Sequence, residues 1–167
     1  PARVAFSSGG FTFLGGLTLS FIASWIYIKV RKYNFLQAAD SIAPSLILAY
    51  GIGRIGCHLA GDGDYGIPTS LPWGTNYENG IVAPTHMFNG TEYAKSFPNG
   101  IFPNDTPLHP TPIYEFLASL IIFLILWKFR KRNWAAGKLV MLYFILSSLS
   151  RFLVEFIRLN PRILMGL

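Results

Sequence analysis

Charged residues stand inside otherwise apolar runs of this chain, and that restricts its fold more than any other feature. Arg151, Glu155 and Arg158 fall at i, i+4 and i+7 along the apolar run that extends from Leu139 to Ile157. A second run closes on Tyr50-Gly51-Ile52-Gly53-Arg54-Ile55-Gly56 and opens into the polar loop from Cys57 to Gly66. A charge at membrane depth costs about 2.5 kcal/mol on some scales and more than ~10 kcal/mol on others, so it is rarely idle. Helical spacing puts Arg151, Glu155 and Arg158 on one face. Two arginines beside one carboxylate leave positive charge facing a partner. Guanidinium forks bind phosphate bidentately, so a phosphate-bearing lipid or substrate fits that face.

Four apolar stretches, at about 10–30, 36–60, 112–129 and 137–157, are each near the ~20 residues a helix needs to cross the hydrocarbon core. Only 13% of the residues are charged and mean hydropathy is +0.40. A soluble domain carries about twice that charge fraction. The expected fold is therefore all-α, a polytopic membrane bundle with a long irregular extracytoplasmic loop over 61–109. Pro1, in place of a methionine, makes the 167 residues read as a piece of a longer protein.

The second stretch carries Asp40, Pro44, Gly51, Gly53, Arg54 and Gly56, which predicts a buried helix broken near its end. Gly9-Gly10 and Gly15-Gly16 predict close helix approach or a local break in the first. Asp40 reads as a helix-start residue at the cytoplasmic edge. Pro110 and Pro112 suit the start of the third. Trp25, Trp73, Trp127 and Trp134 read as interfacial anchors.

Basic residues orient the bundle. Lys29, Arg31 and Lys32 lie between the first two stretches; Lys128, Arg130, Lys131, Arg132 and Lys138 lie between the last two. The positive-inside rule places both loops in the cytoplasm. Residues 61–109 then lie outside, as do both ends of the chain, and Arg54 comes to the same outer edge as Arg151 and Arg158. The net charge of +6 needs no nucleic-acid partner, because anionic headgroups of a lipid bilayer account for these clusters. A loop of about fifty residues is too long for a connector and reads as an irregular cap. Its Asn89-Gly90-Thr91 and Asn104-Asp105-Thr106 match a glycosylation pattern. The single cysteine, Cys57, excludes an intrachain disulfide and offers no metal cluster. Neither a metal nor a cofactor is expected.

The ordered segments Gly53-Arg54-Ile55-Gly56, Gly61-Asp62-Gly63-Asp64-Tyr65-Gly66, His109-Pro110-Thr111-Pro112-Ile113-Tyr114-Glu115 and Arg151-Phe152-Leu153-Val154-Glu155-Phe156-Ile157-Arg158 resemble the prolipoprotein diacylglyceryl transferase family. The resemblance implies a seven-helix bacterial inner-membrane enzyme with its site toward the outer leaflet. Its partners would be phosphatidylglycerol and a prolipoprotein signal peptide with a lipobox cysteine. The diacylglyceryl group moves to that thiol, a thioether forms and glycerol phosphate leaves. Carried over residue by residue, the family implies catalytic roles for Arg54, Arg151, Glu155, His109 and an acid at Asp62 or Asp64, of which Asp62 is the one taken forward. It implies substrate-binding roles for Arg158, Tyr114, Glu115, Gly53, Gly56 and His58. Cys57 stands where the family signature has asparagine, Leu14 where many members have histidine, and Ser147 where many have tyrosine.

The chemistry can also be built from the residues. Displacing a phosphate-linked carbon needs a thiolate and a neutralised leaving group, tasks that suit the substrate thiol and the arginines. Glu155 would hold Arg151 and Arg158 in place. His58 and His109 are the nearest groups for the thiol proton. Two rival readings remain: a non-catalytic relative that binds phospholipid or lipoprotein, and a small transporter subunit, which a broken second helix would suit.

Overall fold

The computed structural model describes residues 8–158, with side chains from residue 15 onward. Leu14 and the Gly9-Gly10 contacts lie outside the described side chains. The elements are α1 (Ser8–Val30), α2 (Phe35–Ala60), α3 (Pro84–Phe88), α4 (Glu92–Lys95), a 3-10 turn (Pro98–Gly100), α5 (Thr111–Phe129) and α6 (Lys138–Glu155). Among the described residues there is no β-strand. Extended pairing is limited to the isolated bridges Gly66–Arg158, Pro68–Leu108 and Thr75–Leu108. Helices α2 and α5 are long and apolar enough to cross a membrane.

Helix α2 starts where Asn34 accepts hydrogen bonds from the N–H groups of Leu36 (2.9 Å) and Gln37 (3.4 Å). Asp40 therefore does not start its own helix. Its carboxylate instead accepts from the backbone of Gly137 (2.7 Å) and Val140 (2.8 Å), capping α6 from a distant part of the chain. A carboxylate at a helix N-terminus satisfies orphan N–H groups and meets the positive end of the dipole, about 0.5–2 kcal/mol for a cap.

The expected break near the end of α2 does not occur. The helix runs unbroken through Pro44, Gly53 and Gly56 and stops at Gly61, whose left-handed φ of 57° lets its N–H reach the Cys57 carbonyl. Gly53 and Gly56 face open space, as do Gly15 and Gly16, where close helix approach was expected. The close approach is at Gly51, where a Cβ would sit 2.9 Å from that of Ser119 on α5. Interhelical packing joins α2, α5 and α6 around buried Ile47, Ile122, Leu126 and Leu139. The other faces of α5 and α6 expose Leu117, Ile121, Leu124, Phe144, Ile145 and Phe152.

The segment between α2 and α5 folds over the end of the bundle around its own aromatic core. Tyr65, Tyr77, Phe88, Phe102 and Leu108 are buried together, and Phe88 stacks on Phe102 with centroids 4.3 Å apart. Burial pushes the phenols of Tyr65 and Tyr77 up to about 12, which keeps them neutral donors and acceptors. The asparagines of both glycosylation patterns tie separate segments of the cap together. Asn89 accepts from the N–H of Phe102 (3.4 Å) and Asn104 from that of Thr85 (2.8 Å).

Candidate functional site

Three arginines from separate parts of the chain converge where α2, α5, the residues after α6 and the cap meet. Arg54 is a little under two turns from the end of α2, with its side chain 12% exposed. Its Nε lies 2.6 Å from Glu115 and 3.0 Å from the Tyr50 hydroxyl, and its Nη1 pairs with Asp64. Arg158 pairs with the other oxygen of Asp64. Arg151 donates to Tyr50 at 2.7 Å and lies 3.5 Å from Glu115. Three guanidinium groups thus share two carboxylates, and one positive charge is left over. Arg151 is the open member, with half of its side chain exposed.

Tyr50 is the hub. Its hydroxyl accepts from Arg54 and Arg151 and donates to Glu115 at 3.0 Å, while its ring lies beneath Arg54 at 5.2 Å. That network fills every hydrogen-bonding site of the phenol and sets both guanidinium planes. Tyr50 was not among the candidates read from sequence. Its signal is local: it precedes Arg54 by four residues, so the two share a helical face.

Several expectations about the site change. Glu155 was expected to hold Arg151 and Arg158; among the described residues the ion pairs of those arginines are with Glu115 and Asp64, and the Glu155 side chain is exposed. Arg158 does not continue the helical face, because α6 ends at Glu155 and the chain turns to pair with Gly66. Asp62 was the acid taken forward; Asp64 is the one between Arg54 and Arg158. Asp62 is exposed, accepts from the Asp64 N–H at 3.3 Å and lies near Cys57. Cys57, Asp62 and Asp64 bring possible ligand atoms within 4.8 Å of one another. Asp64 there is already neutralised by two guanidinium groups, a poor setting for a cation.

Gly66 explains how Arg158 reaches the site. A Cβ there would stand 2.7 Å from the Ile157 carbonyl and 3.0 Å from the Cβ of His109. Only the bare backbone lets the chain after α6 lie against the segment that carries His109. The two candidate histidines bond to tyrosines and not to the arginine cluster. His58 meets the Tyr77 hydroxyl at 2.9 Å, and His109 meets that of Tyr114 at 3.0 Å. Tyr114 also accepts from the Trp73 indole at 2.9 Å. Trp73, in the cap, is thus tied to α5.

A cleft of about 410 Å³ opens beside Arg151, between α2, α5 and α6. Tyr50, Glu115 and Arg151 form its charged end, and Ile47, Tyr143 and Ser147 continue its wall. Ser147 turns its hydroxyl to the Phe144 carbonyl at 3.2 Å. An anion can enter at Arg151 with apolar surface alongside.

A family model described as prolipoprotein diacylglyceryl transferase matches residues 2–167. Relatives named phosphatidylglycerol--prolipoprotein diacylglyceryl transferase include one from Clostridium tetani, 35% identical over 92% of this chain and 53% of its own length. One from Thermosynechococcus vestitus is 35% identical over 93% of the chain and 53% of its own. One from Stenotrophomonas maltophilia is 33% identical over 90% and 51%. The chain spans about half the length of the curated relatives it matches. No solved structure gives a significant match.

Proposed function

Because the chain belongs to the prolipoprotein diacylglyceryl transferase family, we propose that the whole protein transfers the diacylglyceryl group of phosphatidylglycerol to the thiol of a prolipoprotein lipobox cysteine. The observation that carries this reading is the half-exposed Arg151 at the head of an apolar-walled cleft, backed by two further arginines on shared carboxylates. The headgroup phosphate binds at Arg151 and the diacylglycerol portion follows the cleft. Sulfur attacks the glycerol carbon that bears the phosphate, the C–O bond breaks, and glycerol phosphate leaves with the electron pair. The arginines neutralise charge growing on that leaving group.

The thiol proton goes to His109. Trp73 donates to the Tyr114 oxygen; with Nδ1–H of His109 donating there too, that oxygen is occupied by two donors and Nε2 is left as the base. The test is lipidation of a lipobox peptide in phosphatidylglycerol vesicles. Arg151→Ala is expected to lower turnover about a hundredfold with folded protein retained. Arg151→Lys should recover little, since an ammonium lacks the planar fork. Equal loss of folded protein and turnover in both variants would indicate a structural arginine instead.

The rival reading of a non-catalytic relative that binds lipid or lipoprotein is favoured by the Leu14, Cys57 and Ser147 departures. It predicts phosphatidylglycerol binding without product in the same vesicles. The transporter reading loses its main support, because α2 is unbroken.

The setting we infer is a multi-pass bacterial inner membrane, with four spans on the apolar stretches and the arginines at the outer leaflet. The many exposed apolar side chains of α5 and α6 support it, since water-exposed patches of that extent are costly. In sealed cells, single cysteines placed in a Cys57→Ser background near Lys32 and Arg130 are expected to resist an impermeant thiol reagent, and one at Thr91 to react. Reaction at either basic loop would overturn the four-span topology.

A further inference from the structure

The opposite end of the bundle holds a second polar cleft, of about 490 Å³, between the start of α2 and the basic turn after α5. Asp40 on its wall and Arg54 lie fourteen residues apart on one unbroken helix, which puts about 21 Å between the two sites. Arg130, Lys131 and Arg132 contribute consecutive cations to the cleft. Among the described residues none of the three pairs with a carboxylate. Arg130 lies 3.2 Å over the Trp127 ring and Arg132 5.4 Å over Phe129, which itself stacks on Trp134. Stacking fixes the guanidinium planes and leaves their N–H edges unbonded.

Asp40, the one carboxylate among the described lining residues, makes no ion pair with them. Both oxygens of Asp40 are held by the Gly137 and Val140 N–H groups, so its charge is committed to the α6 terminus. Opposite the cations stand the Gln37 and Ser45 side chains, polar groups with room to donate. We propose that this cleft binds one phosphate ester, carried by the headgroup of an anionic lipid of the leaflet at that end. Two features favour a lipid as the carrier. The flanking helices α2 and α5 are the two long and apolar enough to cross a membrane, and the cleft wall includes half-exposed Trp127. The general attraction of basic loops to anionic membranes needs no cleft; a bound headgroup does. The inference stands apart from the transferase reading, since it uses none of its residues.

The test places the full-length protein in phosphatidylcholine vesicles doped with a phosphatidic acid that carries a photoreactive group next to its phosphate. Crosslinked peptides are then mapped. Labelling is expected on peptides containing Trp127 to Trp134 and Ser41 to Ser45. R130Q/K131Q/R132Q should lower it by roughly tenfold or more, and K29Q/R31Q/K32Q in the other basic loop by less than about twofold. Ser45→Phe fills the cleft without changing any charge and should lose labelling as the first triple variant does. An unchanged helical circular-dichroism spectrum and melting temperature report that each variant is folded. Equal losses in the two triple variants, or full labelling of folded Ser45→Phe, would overturn the site in favour of diffuse attraction. Free glycerol phosphate is the second arm: no protection assigns the site to the lipid, and full protection assigns it to a soluble ester.

Discussion

Arg54→Ala is expected to lower turnover by about two to three orders of magnitude, the largest loss of any single change at the cluster. Arg54 bridges Glu115 through Nε and Asp64 through Nη1, so its loss releases both carboxylates at once. Glu115 is only 6% exposed and would keep Tyr50 and the longer contact to Arg151. Removing one partner of a buried pair costs about 3 kcal/mol or more, so stability falls as well. Arg54→Ala combined with Glu115→Gln separates the two effects: the neutral pair should regain stability and not turnover. Arg54→Lys should fail, because one ammonium does not span both carboxylates. Arg54 and Arg158 share Asp64, so Arg54→Ala in an Arg158→Ala background should lose clearly less than Arg54→Ala alone. Strict additivity, measured as kcat/KM in the vesicle assay, would mean two independent arginines and end the single-site reading.

Asp64→Asn and Asp62→Asn are expected to part company. Asp64 is the carboxylate between Arg54 and Arg158, and neutralising it leaves two like charges facing each other. A charged hydrogen bond contributes about 1.5–3 kcal/mol, so turnover should drop roughly 10- to 100-fold. Asp62 is exposed and bonds to a backbone N–H in its own turn, so its amide should stay within about threefold of the parent. Headgroup binding discriminates further: a cluster with one more net positive charge should hold phosphatidylglycerol at least as tightly while turning it over more slowly. A larger loss for Asp62→Asn would give the acid's role to Asp62.

That choice between two aspartates shows where sequence reading stops. Both lie in Gly61-Asp62-Gly63-Asp64, two residues apart, and residue type cannot tell them apart. The backbone decides: the left-handed φ values of Gly61 and Gly63 turn the chain so that Asp64 points to the arginines and Asp62 to the edge. Asp40 teaches the same lesson at longer range. An acid near a helix start reads as a cap for that helix, and it caps one whose first residue is almost a hundred positions away. Glu155 shows the limit of local spacing. Its i, i+4 spacing to Arg151 is a sound local argument, but the cluster takes its carboxylates from α5 and the cap.

What the amino-acid sequence determined by itself was one-dimensional. Apolar run length and helix-compatible spacing located the long helices, because backbone hydrogen bonds within a helix are satisfied locally. The motif order carried the family membership and named Arg54, Arg151 and Arg158 as a group. Tertiary structure alone decided which carboxylate meets which arginine, that Tyr50 joins them, and that α2 stays whole past Gly53. Those outcomes depend on pairs such as Tyr50 with Glu115 and Arg158 with Asp64, 65 and 94 residues apart. Charge pairing is nearly indifferent to sequence distance, and whichever opposite charge the packing brings within a few ångströms wins.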